Sequence, residues 1–286
     1  MENPELLLKR IVDFAAARDG IQAVVQTGSR ARGRRVDAYS DLDIELIGPG
    51  AAELAGRDDW LQEIGPVLVA IHLANEDEDE PDWPTCLAVF AEGRKADFTL
   101  AGPERLERMA ADGLDDLYRR GYLVHLDETG ITRSLAPSDP RPPERSAPGA
   151  EEFEANQREF WFEATQIPVY IARRDLWPAA SRLVEAEELL LEMLEWNAFA
   201  RSGGAADTWH KGHRIDEWAA EPYRSEIPSA FAGYDPDDQL RALRSIAGLY
   251  ARVAAETGGL LSLPVLDLRD RVLRHIDRVV AGEAGR

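Results

Sequence analysis

Apolar residues at Leu6, Leu7, Ile11, Val12, Phe14 and Ala15 recur at helical spacing, and Ile21-Gln-Ala-Val-Val-Gln-Thr27 follows as a short, mostly apolar run. The pattern predicts a helix over 3–18 and then a buried strand over 21–27. After a Gly- and Arg-rich stretch at 28–36, strict alternation returns in Leu42-Asp-Ile-Glu-Leu-Ile47. As a strand, this segment puts Leu42, Ile44 and Leu46 on one face and Asp43 and Glu45 on the other, with Asp41 on the same side as Asp43. A helix is expected over 51–63, leading to Pro66-Val-Leu-Val-Ala-Ile-His-Leu73. An acidic loop at 75–82 separates that run from strands at 85–91 and 94–100, which are joined by Glu92-Gly93.

The periodicity then changes. Pro137, Pro140, Pro142, Pro143 and Pro148 crowd a stretch that also holds Ser, Arg and Gly, which is linker composition. Beyond it, 151–173, 179–200, 236–257 and 267–281 all carry apolar residues three and four apart. Asp235-Pro236 supplies an N-cap followed by proline at the first helical position. The expected architecture is an α/β domain over 1–135 with a mixed sheet of about five strands, a linker over 136–150, and a helical bundle domain over 151–286. The 286-residue length agrees with two packed units, because domains cluster near about 100–150 residues.

Charge and cysteine usage narrow the chemistry. A formal net charge of −20 repels phosphate backbones and argues against nucleic acid as a partner, whereas a cationic partner fits. Acidity also serves solubility alone, so charge gives a direction and not an identity. The single cysteine, Cys86, excludes an internal disulfide and a Cys-rich zinc site, and the five histidines show no HExxH spacing, so any metal must be held by oxygen. The acidic start Met-Glu-Asn-Pro-Glu is unlike a secretory signal, and no apolar run reaches the roughly 18 residues that span a bilayer. A monomer in the cytoplasm is expected.

Asp41 and Asp43, two apart at the start of a strand, project two carboxylates from one face. Such a pair suits Mg²⁺, which is held by one or two carboxylates plus substrate phosphates. Asp97 is the expected third acid, because alternation in Lys95-Ala-Asp-Phe-Thr-Leu100 buries Ala96, Phe98 and Leu100 opposite it. Gly28-Ser29, at the end of the first strand, can bring backbone N–H groups and a hydroxyl close to phosphate. Arg30, Arg32, Arg34 and Arg35 follow as a local positive patch suited to bidentate phosphate contact.

Blander explanations exist for each feature. A D-x-D pair alone is common on solvated strand edges. Asp41-x-Asp43-x-Glu45 has Leu46 where a calcium loop needs glycine. Gly28-x4-Gly33 has Arg34-Arg35 where a P-loop needs Lys and Ser or Thr. The signal lies in the order: strand, Gly-Ser, a gap of about a dozen residues, D-x-D, and a later strand acid.

That order resembles the nucleotidyltransferase fold of the DNA polymerase β superfamily. Gly28-Ser-Arg30, Ser40-Asp-Leu-Asp-Ile44, Lys95-Ala-Asp-Phe-Thr-Leu100, Phe160-Trp161, Tyr170-Ile-Ala-Arg-Arg-Asp-Leu-Trp177 and Met193-Leu-Glu-Trp196 narrow the resemblance to the aminoglycoside 6-adenylyltransferases, through most of the chain. The resemblance implies a nucleotidyltransferase domain, a helical domain, and ATP and substrate bound in the cleft between them. It implies ATP-directed roles for Gly28, Ser29, Arg30 and Lys211. Around Lys211-Gly-His-Arg214 the family pattern would be richer in lysine; with only Lys9, Lys95 and Lys211 in the chain, basic positions have shifted to arginine. Trp161, Tyr170, Arg174 and Asp175 are candidates for acceptor binding, although aromatic residues in a bundle also fill cores and Asp175 is placed to cap the next helix. Glu76-Asp-Glu-Asp-Glu80 is expected to be a solvated loop able to steer a polycation at low salt.

The expected reaction is Mg²⁺-dependent transfer of AMP from ATP to a hydroxyl of a cationic aminoglycoside, streptomycin first among them. Asp41, Asp43 and Asp97 carry it, with Asp97 a metal ligand, a base, or both. Two rivals are a nucleotidyltransferase acting on a protein hydroxyl, opposed by the helical-domain phrases, and a non-catalytic nucleotide or metal sensor, opposed by three costly clustered carboxylates.

Overall fold

The computed structural model describes residues 2–74, 83–139, 146–208 and 210–282. The acidic loop 75–82, with Glu76–Glu80, therefore lies outside the described residues. The chain divides into two compact units, Met1–Arg141 and Pro142–Arg286, and the division falls within the proline-rich stretch.

The first unit opens with α1 (Pro4–Ala16), capped by the Asn3 side chain, which accepts from the Glu5 N–H, with Pro4 at the first turn. Then come β1 (Ala23–Thr27), a five-residue α2 (Gly28–Arg32) and β2 (Leu42–Ile47). The helix expected over 51–63 is not continuous. A 3₁₀ turn at Ala52–Leu54 is followed by Gly56 at φ +68°, which breaks the helical path, and α3 occupies only Asp59–Ile64. β3 (Val67–Leu73), β4 (Thr85–Phe90) and β5 (Lys95–Ala101) follow, then α4 (Glu104–Asp112), α5 (Asp116–Arg120) and β6 (Leu123–Asp127).

The sheet is mixed and has six strands in the order β3-β4-β5-β2-β1-β6, one more than expected. β6 escaped the pattern because five residues on an edge show little periodicity; it pairs with β1 through a register shift between Val24 and Val25. One face of the sheet packs Leu42, Ile44, Leu46, Cys86, Phe98 and Leu100 against Leu7, Ile11 and Phe14 of α1 and Trp60 of α3. The other packs Val25, Ile47 and Ala101 against Leu106, Met109, Tyr118 and Leu135.

The second unit is helical: α6 (Ala150–Ala172), α7 (Leu176–Ser202), the single turns α8 (Ile215–Trp218) and α9 (Tyr223–Glu226), α10 (Pro236–Leu261) and α11 (Arg269–Val280). Asp235 caps α10 by accepting from the N–H groups of Asp237 and Asp238. Phe160, stacked face to face on Tyr250 at 3.6 Å between centroids, joins α6 to α10 within its core.

Candidate active site

Three strand ends meet at the site. β2 and β5 run parallel with Asp43 opposite Asp97, and β1 runs antiparallel beside β2 with Thr27 opposite Asp43. The end of β1 thus lies beside the beginning of β2, whose other edge carries the beginning of β5. Alternation sends Asp43, Glu45 and Ile47 of β2, and Asp97, Thr99 and Ala101 of β5, to the same face. The later residues of both strands are covered, Ile47 and Ala101 by the cluster of Leu106, Met109 and Tyr118. The acids are at the end that this cluster does not reach. One carboxylate oxygen each of Asp41, Asp43 and Asp97 lies within 4.8 Å of the others.

Burial and mutual repulsion load this cluster. Asp43 is pushed up to about 6, first by desolvation and then by the charges of Asp41 and Asp97. Asp97 is also raised, because desolvation outweighs the help of Lys95. Asp97 Oδ1 is buried and has no hydrogen-bond partner among the described residues. An orphaned buried carboxylate oxygen is costly unless a cation or donor meets it.

Gly28 closes the site on the β1 side. Its φ is +70°, and a Cβ built on it would sit 1.8 Å from Asp43 Oδ2. Only glycine lets the β1–α2 turn come this close. Ser29 follows, half-buried in the first turn of α2.

Arg30 does not reach outward. Its Nε donates to the carbonyls of Ser40 and Asp41 at 3.1 Å each, and Nη2 to that of Asp37 at 3.4 Å. Arg94, only 4% exposed, donates from Nη1 to the carbonyls of Ala38 and Ser40 at 3.0 Å, and from Nε and Nη2 to that of Glu2. The two guanidiniums converge on the Ser40 carbonyl and hold the loop that delivers Asp41. Within that loop the Asp37 carboxylate accepts from the N–H groups of Tyr39 and Ser40.

Lys95 was not among the expected site residues, yet its ammonium donates to Asp97 Oδ2 at 2.6 Å and Asp41 Oδ2 at 3.2 Å. The sequence held a signal for it: a residue two before Asp97 in a strand shares its face. Arg94 left no such signal, because its partners are backbone carbonyls far away in the chain. Glu45, expected on the polar face, is 2% exposed; Arg105 donates to both its oxygens at 2.7 Å and the Tyr118 hydroxyl donates at 2.7 Å.

The candidates in the second unit are of different kinds. Trp161 is a core residue, 4% exposed and edge-on to Phe160 and Tyr250, so its ring is used in packing. Tyr170 is half-buried, with the Arg182 guanidinium 5.4 Å from its ring centroid. Arg174 is exposed at φ +63° in the turn after α6, and Asp175 stands at the N-cap position of α7 with no side-chain capping bond. Lys211 is exposed at φ +41°.

A family model described as streptomycin adenylyltransferase matches residues 1–279. The chain belongs to the streptomycin adenylyltransferase family. As a member of it, the chain is a nucleotidyltransferase enzyme, and the family match runs through the helical unit as well as the sheet unit. The sequence is similar to aminoglycoside 6-adenylyltransferase of Bacillus subtilis, 26% identical over 209 residues that span 71% of this chain and 72% of the relative. Among solved structures it is similar to an aminoglycoside 6-adenyltransferase from Bacillus subtilis, with TM-score 0.47 and 18% identity over 98% of this chain and 99% of that one. A nucleotidyltransferase-like protein from Exiguobacterium sibiricum gives TM-score 0.31 and 11% identity, covering 98% of this chain and 89% of that one. Among the described residues of this family member, no helix is long and apolar enough to cross a membrane.

Proposed function

We propose that this enzyme transfers AMP from ATP to a hydroxyl of an aminoglycoside, with streptomycin the preferred acceptor, and releases pyrophosphate. The observation that carries the reading is the clustering of Asp41, Asp43 and Asp97 in a member of this family. The donor set suits Mg²⁺: among the described residues it is three carboxylates with no sulfur or nitrogen ligand in the group, and a buried Asp97 Oδ1 that lacks a partner. Asp41, Asp43 and Asp97 would hold the ion, which when bound neutralises charge on the phosphates.

The chain's own residues supply the rest. Gly28, which has no Cβ, lets the triphosphate approach the backbone N–H groups of the turn, and Ser29 offers its hydroxyl to the phosphates. The acceptor oxygen bonds to the α-phosphorus, the bond from that phosphorus to the β-bridging oxygen breaks, and pyrophosphate leaves with the electron pair. Asp97 ligates the ion, receives the hydroxyl proton, or does both; where it only ligates, the proton passes to solvent. Positioning and charge neutralisation do most of the work. The acidic chain favours an acceptor bearing guanidinium groups, which pair with carboxylates through two parallel hydrogen bonds.

The test is pyrophosphate release from ATP and Mg²⁺ with streptomycin or kanamycin, followed by mass spectrometry. Streptomycin gaining one AMP while kanamycin stays largely unmodified is the expected result. Reaction of kanamycin alone would overturn the acceptor. AMP found on a protein would overturn the small-molecule reading and leave nucleotidyl transfer standing.

A further inference from the structure

Lys95 stands where the metal reading puts a cation. Its ammonium bridges Asp97 Oδ2 at 2.6 Å and Asp41 Oδ2 at 3.2 Å, taking two of the three acids. β5 delivers it to the triad face two residues before Asp97. The side chain is 41% exposed, so the ammonium can leave for solvent without disturbing the core. One positive charge among three carboxylates offsets only part of their repulsion, and Asp43 stays raised with Lys95 in place.

We propose that Lys95 is the resident counter-ion of the acid cluster, and that its pairing with Asp41 and Asp97 and the binding of a divalent metal by those acids exclude one another. The inference rests on reading the triad as the metal site. A divalent ion on the remaining oxygens of the same carboxylates, Asp97 Oδ1 among them, would still crowd the ammonium on the Oδ2 atoms, and their mutual repulsion at about 4 Å is far above thermal energy even with partial screening. The ammonium leaves as the metal enters. Lys95 thus keeps the carboxylates gathered in the metal-free enzyme, and metal affinity is lower than that of a bare triad.

The chain has only three lysines, Lys9, Lys95 and Lys211, so their ammonium groups are separable in full-length protein labelled with ¹⁵N-lysine. Lys9, paired with Asp13 on the solvent face of α1, is an internal reference. The protein is titrated with MgCl₂ while these resonances are followed by NMR. Affinity is measured in parallel by Mg²⁺ competition against Mn²⁺ in electron paramagnetic resonance, for the wild type, Lys95→Met and Lys95→Arg. The Lys95 resonance is expected to move with Mg²⁺ occupancy while that of Lys9 stays. Lys95→Met is expected to bind Mn²⁺ roughly tenfold more tightly and to melt lower without metal, and Lys95→Arg, which keeps the charge, to stay near wild type. A Lys95 resonance unmoved at Mg²⁺ saturation overturns the proposal, as does a Lys95→Met variant that binds Mn²⁺ no more tightly. If neither the wild type nor Lys95→Met binds metal, the metal reading falls with it; if both bind and Lys95 stays in place, only the exclusion falls.

Discussion

Gly28 and Asp43 are in such close apposition that a methyl group on Gly28 would lie 1.8 Å from Asp43 Oδ2. Asp43 is held between this backbone, at the start of α2, and Asp97 on β5, so the room its carboxylate occupies exists only because a side chain is missing. Gly28→Ala should cost about 1–2 kcal/mol from the positive φ alone and displace the carboxylate. Turnover should fall by roughly two orders of magnitude, the scale of a misplacement of about 1 Å. Gly33 is the control. At φ +59° with open space around its Cβ position, Gly33→Ala should melt lower and keep its turnover. Steady-state rates and melting curves of the pair decide the matter, and equal turnover in both would sink the apposition argument.

Asp43→Asn should remove nearly all turnover and leave the metal-free protein as stable as wild type or more so. The pH dependence gives the sign. Because folding raises Asp43 from the ordinary 3.8 to about 6, its protonated form favours the native state. That contribution is complete below about pH 4 and is lost as pH rises through about 6, then stays lost. Melting of metal-free wild type should therefore fall between pH 4 and pH 6 more steeply than melting of Asp43→Asn. Parallel curves would show that Asp43 is not the group responsible.

Arg30 holds the carbonyls of Asp37, Ser40 and Asp41, and Arg94 holds those of Ala38 and Ser40. Arg30→Ala should accordingly lower kcat by about tenfold or more, through looser placement of Asp41, with a smaller change in the Michaelis constant for ATP. A large rise in that constant with kcat preserved would return Arg30 to the phosphate contact expected from its place after Gly28-Ser29.

The Glu45–Arg105 pair lies two residues along β2 from Asp43 and is almost fully buried. Arg105→Met strands a buried carboxylate and should cost about 3–5 kcal/mol in urea unfolding. The double variant Glu45→Gln with Arg105→Met leaves only Asp115, the partly exposed second partner of Arg105 at 3.0 Å, without its guanidinium and should recover a large part of that loss. A double variant as unstable as the single would show that packing of the Arg105 stem, and not charge, dominates.

The helical capping at Asp235-Pro236, the alternation of Leu42–Ile47 and the burial of Ala96, Phe98 and Leu100 opposite Asp97 were legible because each depends on residues a few positions apart. The break at Gly56 was harder to see: apolar spacing over 51–63 is compatible with a helix, and only the backbone turn interrupts it. Trp161 shows the same limit from the other side, since its type suits a core or a ligand face and its packing against Phe160 and Tyr250 is set by which helices meet.

The order of Gly28-Ser29, Asp41-x-Asp43 and Asp97 along predicted strands was determined by the sequence alone, as was the likeness that runs on into the helical unit. Strand alternation carries an acid to one face whatever lies beside it. The tertiary structure decided what meets those acids. Parallel pairing of β2 with β5 set Asp43 against Asp97, brought the Lys95 ammonium between two carboxylates and Arg94 to the Ser40 carbonyl, while α2, following the β1 strand that pairs with β2, carried Arg30 to the same carbonyl. The contacts of Lys95 with Asp41 and of Arg94 with Ser40 each join residues 54 apart, fixed by strand order and register, and no local pattern records them; only the sharing of a face by Lys95 and Asp97 was local.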